Sequence, residues 1–279
     1  MAGRRRGRPE IPIRTAENKE SMSPLSRDQS RNSANPLLAL RGALLTARDQ
    51  LNRQIVVCRK CPRLVRYREG IAREKRLAFR DWDYWGKPVP GFGDPHAKLL
   101  ILGLAPAAHG ANRTGRMFTG DRSGDFLYEA LHRAGFANQA HSVHRDDGLA
   151  LENAYITATV RCAPPENKPL PEEIENCRPY FERELQILRP HAVLALGGIA
   201  MRAYLKVLKD LGGIRTAAEF PFTHGASYAM QGDLPRLFVS YHPSQQNTFT
   251  GRLTQAMLAR VLADIRQYLG REPSPRAAT

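Results

Sequence analysis

The chain has 279 residues, of which 42% are hydrophobic and 8% aromatic, so it is long enough to bury one substantial core. An excess of 42 lysines and arginines over 27 acidic residues gives a formal net charge of +15, which indicates a polyanionic partner, either nucleic acid or an anionic membrane surface. No apolar run approaches the ~20 residues that span a bilayer, and the amino terminus lacks the hydrophobic core of a signal peptide. We therefore expect a cytoplasmic protein without a membrane partner.

The composition divides the chain into three parts. Residues 1–35 are rich in Arg, Ser, Asn and Pro without hydrophobic periodicity, which predicts a disordered basic arm. The arm is either a plain solvated tail or a segment that contacts the polyanion. We expect one folded domain over residues 36–270 and a disordered tail over 271–279. Leucines at helical intervals predict a helix over 35–57.

Short apolar runs alternate with helical patterns through the rest of the chain. Strands are predicted over 99–104, 154–162, 191–197 and 236–241. Helices are predicted from near Ser123, over 171–188, over 198–208 and over 252–269. This alternation predicts an α/β fold, a three-layer α/β/α sandwich with a central four-stranded parallel sheet.

The loop over 105–120 directly follows the first predicted strand. It carries Pro106, Gly110, Gly115 and Gly120 among polar residues, so its backbone can turn tightly and approach a ligand closely. It matches neither the phosphate loop G-x-x-x-x-G-K-[ST] nor the dinucleotide fingerprint G-x-G-x-x-G, which disfavours a nucleoside triphosphate or a dinucleotide. A strand, such a loop and a helix N-terminus at the carboxyl edge of a sheet are typical of an active site.

A second candidate for the active site lies at the end of the fourth predicted strand. His242 ends that strand, because Pro243 cannot continue it. Parallel strands bring their carboxyl ends to one edge of the sheet, so we expect His242 and the 105–120 loop to converge.

The four cysteines suggest a metal centre. Cys58 and Cys61 form a C-x-x-C motif, and Cys162 and Cys177 follow later in the chain. Disulfides are disfavoured in a cytoplasmic protein. Four thiolates suit either a structural Zn²⁺ ion or an iron–sulfur cluster, and their spacing does not choose between the two.

The two motifs GLAPAAHGANRTGRMFTGD (103–121) and YHPSQQNTFTGRLT (241–254), taken with the four cysteines, closely resemble those of the family 5 uracil-DNA glycosylases. The likeness covers about residues 57–268. It implies the fold of that superfamily and a monofunctional enzyme, monomeric and associated with the nucleoid of a bacterial or archaeal cell. Such an enzyme flips uracil, and by extension hypoxanthine or other deaminated bases, out of double-stranded DNA and hydrolyses the N-glycosidic bond, which starts base excision repair. The resemblance also implies a [4Fe–4S] cluster on Cys58, Cys61, Cys162 and Cys177.

The resemblance assigns roles to individual residues. His242 would donate a hydrogen bond to uracil O2 as negative charge develops there. Better-known members hold the water with an Asp at the position of Ala105, so here Asn112 is expected to orient the water, with Asp121 as an ionisable alternative. Phe118 would stack on the flipped base.

Further residues are expected around the base and along the DNA. Thr157 and Ala158 fall where many relatives carry a base-reading Asn, which implies a less discriminating pocket. The predicted base-binding residues are Gly103, Ala105, Phe118, Thr157 and Ala158. The predicted DNA contacts are Arg113, Arg116, Ser244, Gln246, Asn247 and Arg252, with Phe249 as a further wedge in a groove-entering loop over 245–252.

Two other functions remain open from the sequence. One is a non-catalytic iron–sulfur DNA-binding protein, in which His242 and Asn112 are merely structural. The other is a zinc-stabilised hydrolase of nucleotides.

Overall fold

A computed structural model describes residues 47–271 of the chain, except for the side chain of the last of these. The predicted arm over 1–35, the first part of the helix predicted over 35–57 and the tail after residue 271 lie outside the described residues. Within them, the chain begins in helix α1, 47–56.

Six strands form one sheet. They are β1 (Phe92–Gly93), β2 (Leu99–Gly103), β3 (Ala154–Ala158), β4 (Ala192–Leu196), β5 (Ser227–Tyr228) and β6 (Arg236–Ser240). The order across the sheet is β1-β3-β2-β4-β6-β5. The four central strands are parallel, which confirms the predicted four-stranded parallel sheet, and β1 and β5 pair antiparallel at its two edges. The two edge strands were not predicted, because two residues are too few to show an alternating pattern.

Helices cover both faces of the sheet. They are α2 (Pro62–Glu74), α3 (Ala111–Thr114), α4 (Arg122–Arg133), α5 (Pro171–Leu188), α6 (Gly198–Asp210), α7 (Gln245–Phe249) and α8 (Gln255–Arg271). All five residues of β2, β3 and β4 are buried, and alternate side chains enter two separate cores. Helices α4 and α8 cover one face, and α5 and α6 cover the other. The predicted three-layer sandwich is therefore confirmed.

The start of α4 differs from the prediction. The helix begins at Arg122, and its N-cap is Asp121 instead of Ser123. The Asp121 Oδ1 atom accepts a hydrogen bond of 3.0 Å from the Gly124 backbone N–H, so the carboxylate satisfies a donor that the first turn leaves free.

The central strands end together at Gly103, Ala158, Leu196 and Ser240. The loop after β2 and the residues after β6 therefore meet at one edge of the sheet, as expected for parallel strands. No helix within residues 47–271 has both the length and the apolar composition needed to cross a lipid bilayer.

Candidate functional site

A cavity of about 730 Å³ opens at this edge of the sheet. Its apolar wall includes Leu104, Ala105, Met117 and Phe118. Its polar wall includes Asp121, Ser123, Asn167, His242, Ser244 and Gln246. The cavity thus joins the two sequence motifs, and its mostly apolar wall with a few convergent polar groups is typical of a small-molecule or base site.

Two glycines, Gly103 and Gly124, pack closely against Phe118 and fix the position of its ring. Phe118 has a positive φ of 54° and is 6% exposed. A Cβ atom on Gly103 would lie 2.9 Å from the edge of the Phe118 ring, and one on Gly124 would collide with the Phe118 carbonyl oxygen. Both glycines are therefore needed for the ring to stay where it is. A non-glycine residue at positive φ costs about 1–3 kcal/mol and is held only where its surroundings determine it.

His242 lies beside the Phe118 ring on the wall of the cavity. The two ring centroids lie 5.8 Å apart, with 33° between the planes. Desolvation lowers the pKa of His242 to about 4, so the imidazole is neutral at physiological pH and carries one N–H donor. The Asn247 Nδ2 atom donates to the His242 carbonyl at 2.8 Å, which fixes the backbone at this point.

Asp121 supplies an ionisable oxygen at the cavity. Burial raises the pKa of its carboxyl group, and the backbone N–H groups of Gly124 and Ser123 partly offset that rise. A carboxylate with a raised pKa is a better proton acceptor than an ordinary aspartate.

Asn112 does not line the cavity, which corrects the expectation that it orients a water there. Its side chain is fully buried, and its Nδ2 atom donates to the backbone carbonyls of Arg68 at 3.2 Å and Ala108 at 3.4 Å. The Asn112 amide therefore ties α3 to α2 behind the cavity wall. Of the two predicted water-handling residues, the structure brings only Asp121 to the cavity.

Thr157 and Ala158 do not line the cavity either. The Thr157 hydroxyl donates to Glu184 Oε2 at 2.6 Å, on the far face of the sheet, and Glu184 is also paired with the buried Arg161. Ala158 packs in the same core as Phe118. Strand β3 thus offers no base-reading side chain, because the alternation along the strand turns the hydroxyls of Tyr155 and Thr157 to the far face.

Arg113 and Arg116 are buried and are not positioned as DNA contacts, contrary to the prediction. The Arg113 guanidinium lies between the rings of Phe79 and Trp82, 3.9 and 4.0 Å from their centroids. The Arg116 guanidinium forms an ion pair of 2.8 Å with Asp147. Arg113 also donates to the carbonyls of His109 and Gly120, and Arg116 to the Ser142 hydroxyl. Both residues hold the loop together from within.

The other predicted DNA contacts lie at or near the surface. Ser244 is the N-cap of α7 and lines the cavity together with Gln246. Arg252 is exposed, with its guanidinium 4.7 Å from the Tyr241 ring centroid. Phe249 on α7 is 66% exposed. The segment predicted as a loop over 245–252 thus begins as a short helix.

Three of the four cysteines, Cys61, Cys162 and Cys177, lie in one small buried cluster, and Cys58 is near enough to interact with them electrostatically. The Arg161 backbone N–H donates to Cys177 Sγ at 3.5 Å, and Asn176 Nδ2 donates to Cys61 Sγ at 3.6 Å. Such N–H···S bonds are among the features that tune an iron–sulfur cluster.

The burial of the thiols determines what they require in order to act as metal ligands. Burial raises the pKa of the Cys162 thiol to about 12 and that of Cys177 to about 11, so a cation is required to hold them as thiolates at neutral pH. In the described part of the chain, no three His, Cys, Asp or Glu side chains converge on a single ion position. Tetrahedral Zn²⁺ needs sulfurs at about 2.3 Å from one point. A four-iron cluster takes one thiolate per iron, and four neighbouring cysteine thiols supply that donor set.

Asn167 is a cavity residue that the sequence analysis missed. It lines the wall between β3 and α5, in the segment that follows Cys162. The sequence does contain a signal for an unusual turn at this point. Two prolines precede Asn167, and Asn is one of the few residues that readily adopt a left-handed backbone conformation.

Residues 90–266 match the sequence model of the uracil DNA glycosylase superfamily. The match covers β1 to β6, the cavity and two of the four cysteines. The chain therefore belongs to the uracil DNA glycosylase superfamily.

Individual relatives narrow this to one branch of the superfamily. A type-5 uracil-DNA glycosylase of Mycobacterium leprae is 52% identical over 223 residues, covering 79% of this chain and 95% of the relative. A type-5 uracil-DNA glycosylase of Thermus thermophilus is 50% identical over 224 residues, covering 80% and 99%. A type-4 uracil-DNA glycosylase of Pyrobaculum aerophilum is 32% identical over 199 residues, covering 70% and 82%. The chain groups with the type-5 branch, as its two motifs indicate.

Proposed function

We propose that this chain is a monofunctional uracil-DNA glycosylase that starts base excision repair. The observation that carries the proposal is the cavity in which the buried Phe118 ring lies beside a neutral His242, in a chain half identical to curated enzymes of that name. A base inside a duplex cannot reach such a cavity, so the enzyme must rotate the damaged nucleotide out of the helix.

The reaction breaks the bond between C1′ of the deoxyribose and N1 of uracil. The bonding electrons leave with the base, and negative charge develops on uracil O2 while the sugar becomes oxocarbenium-like. The neutral His242 donates an N–H hydrogen bond to O2, which lowers the energy of the departing anion. Phe118 stacks on the ring and holds it in place.

A water molecule then adds to C1′. Asp121 orients that water and accepts its proton, while the uracil anion takes up a proton, so the products are neutral uracil and an abasic deoxyribose in an intact strand. Because burial raises the pKa of Asp121, the carboxylate is a stronger base than usual. Ala105, which also lines the cavity, has no side-chain group for this step.

The exposed and half-buried residues beside the cavity contact double-stranded DNA. Arg252 approaches a phosphate, Ser244, Gln246 and Asn247 approach the strand at the flipped nucleotide, and Phe249 enters the space that the base leaves. The net charge of +15 supports binding to the backbone of DNA by one copy of the chain.

The residues that would hold a [4Fe–4S] cluster are Cys58, Cys61, Cys162 and Cys177. When bound, the cluster supplies a structural cross-link and takes no part in breaking the bond. It would tie α2, the segment after β3 and α5 to one another, and so hold the wall that carries Asn167.

A gel assay tests the proposal. A labelled duplex with one uracil should show a break at that position after treatment with alkali, and no break before it, because a monofunctional enzyme leaves the strand intact. A protein that only binds DNA would give no alkali-labile product, and neither would a hydrolase of free nucleotides.

Metal analysis of anaerobically purified protein tests the cluster separately. Iron and acid-labile sulfide in equal amounts, with broad visible absorption, are expected. Zinc without iron would contradict the cluster and leave the glycosylase assay unaffected.

A further inference from the structure

Arg68 is a cation buried next to the cysteines. It lies on α2, the helix that begins directly after Cys61, and it is only 2% exposed. Its Nη2 atom donates to the Cys58 carbonyl oxygen at 3.5 Å, and its Nη1 atom donates to the Gly86 carbonyl oxygen. Burial raises the pKa of Cys162, and the positive charge of Arg68 opposes that rise. The guanidinium therefore lies close enough to act on the thiols.

One donor of this guanidinium has no partner. The Arg68 Nε atom is buried, and no group within residues 47–271 accepts a hydrogen bond from it. The carboxylate nearest to Arg68 is that of Glu69, at 3.5 Å, and this half-buried group also pairs with the exposed Arg59. The charge of Arg68 is therefore only loosely compensated, and a buried donor without a partner is rare enough to indicate a ligand.

The fold holds Arg68 in this place. Its backbone carbonyl accepts a hydrogen bond of 3.2 Å from Asn112 Nδ2, and the Gly86 N–H donates to the Asn112 carbonyl at 3.0 Å. Since the Gly86 carbonyl in turn accepts from Arg68, the three residues form a closed set of hydrogen bonds between α2, α3 and the segment that joins them. Such supporting contacts are what orient the groups around a metal centre.

A cluster bound to the four cysteines would bring negative charge into this space. Four thiolates carry more negative charge than an iron–sulfur core neutralises, so the loaded centre is an anion. Burial of an uncompensated charge is unfavourable, and a nearby cation offsets that cost. Net charge and hydrogen bonds to the sulfurs also set the reduction potential of such a centre.

The other basic side chains near the cysteines already have carboxylate partners. Arg161 is as deeply buried as Arg68, but its guanidinium is paired with the buried Glu184. Arg63, at the start of α2, is paired with Glu173 at 2.8 Å. In the part of the chain that the structure describes, Arg68 is therefore the buried cation beside the cysteines that lacks a buried carboxylate.

We propose that Arg68 is the counter-cation of the iron–sulfur cluster, and that its Nε–H is a donor to a sulfur of that centre. This inference rests on the proposed cluster and is independent of which base the enzyme removes. A reduced cluster carries more negative charge than an oxidised one, so a buried cation favours reduction. The same charge favours the thiolate form of the cysteines and so opposes loss of iron.

Three substitutions separate the charge of Arg68 from its packing. Arg68→Gln removes the charge and keeps an amide donor, whereas Arg68→Lys keeps the charge without the planar fork. Arg66→Gln makes the same change at an exposed position of the same helix. Each protein is purified anaerobically, and its iron and acid-labile sulfide are measured. The midpoint potential is then determined by titration with a chemical reductant or oxidant, followed by visible absorption.

Arg68→Gln should lower the equilibrium constant for reduction by about tenfold, which lowers the midpoint potential by about 59 mV for a one-electron step. Its visible absorption should also bleach severalfold faster than that of the unmodified protein when an iron chelator is added. Arg68→Lys should keep most of the potential and of the resistance to the chelator. Arg66→Gln should match the unmodified protein in both measurements.

An unchanged potential and bleaching rate in Arg68→Gln would overturn the inference. Equal changes in Arg68→Gln and Arg68→Lys would also overturn it, because the charge would then have no effect. If Arg68→Gln retains no iron, a normal iron content in Arg68→Lys supports the inference, and loss of iron from both variants assigns Arg68 to packing alone. Zinc without iron in the unmodified protein would contradict the proposed cluster and this inference together, while the uracil assay would still test the glycosylase separately.

Discussion

Two segments border the cavity, and they are built in opposite ways. In the loop between β2 and α4, every side chain from residue 111 to 119 is buried, and Arg113 and Arg116 donate to groups of the protein itself. In the segment over 244–252, Gln245, Gln246 and Phe249 are exposed. The first segment determines the shape of the cavity, and the second presents side chains to a partner. Substitutions should therefore change chemistry or stability in the first and binding in the second, with His242 at their junction.

His242→Ala should have the largest effect on the chemical step. Loss of one donor to a developing anion costs about 10²–10³ in rate, and the single-turnover rate on uracil DNA should fall by that factor. Binding to the same DNA should be nearly unchanged. A His242→Ala protein that excises uracil at the unmodified rate would move the role to another donor, with His109 in the loop after β2 as the next to test.

Asp121→Asn should lower the single-turnover rate by about 10²-fold, at the low end of what a general base contributes. The wild-type rate should fall on acidification, starting above the pH of an ordinary aspartate because burial raises the pKa of Asp121. His242 stays neutral down to about pH 4, so it does not cause this fall. Asp125→Asn, in the first turn of α4, should keep the acidic limb but move it slightly to lower pH, because the charge of Asp125 contributes to the raised pKa of Asp121. A pH profile that is the same in Asp121→Asn and wild type would remove Asp121 from the proton transfer.

Arg116→Met should lower the free energy of unfolding by about 3 kcal/mol, because it leaves the partly buried Asp147 without its cation and the Ser142 hydroxyl without a donor. Urea denaturation of the two proteins measures the difference. Arg122→Met, an exposed residue at the start of α4, is the control and should change stability by less than about 0.5 kcal/mol. Equal stability of all three proteins would mean that the loop is not held by its internal arginine.

Arg252→Ala should have the smallest effect and act on binding alone. If its guanidinium neutralises one phosphate, the slope of log affinity against log salt concentration should become shallower by about 1, with the single-turnover rate unchanged. Arg183→Ala, on the opposite layer of the sandwich, should keep the wild-type slope. An unchanged slope in Arg252→Ala would show that this residue only packs on Tyr241.

Features with a local signal could be predicted from the sequence. Helix α5 has Pro171 at its first position and two glutamates in its first turn, and it spans the predicted 171–188. The parallel strands followed from their apolar runs, and the convergence of His242 with the loop after β2 followed from the parallel order alone.

The direction of individual side chains could not be predicted. Asn112 and Thr157 sit at sequence positions close to the cavity, yet their side chains turn towards partners from α2 and α5. Those partners are 44 and 27 residues away in the chain, so no local pattern reveals them. Asn167 was missed for the converse reason, because its place in the cavity depends on the path of the backbone after Cys162.

The fit of Phe118 against Gly103 and Gly124 also limits how such a protein can change over generations. Any side chain at Gly103 or Gly124 would displace the Phe118 ring or its carbonyl oxygen. We therefore expect neither glycine to be replaced by another residue. A lineage that acquires a new damaged base as substrate is therefore expected to leave this part of the wall intact. Inherited differences in substrate range should instead accumulate at Gln245 and Gln246, which line the cavity and are exposed.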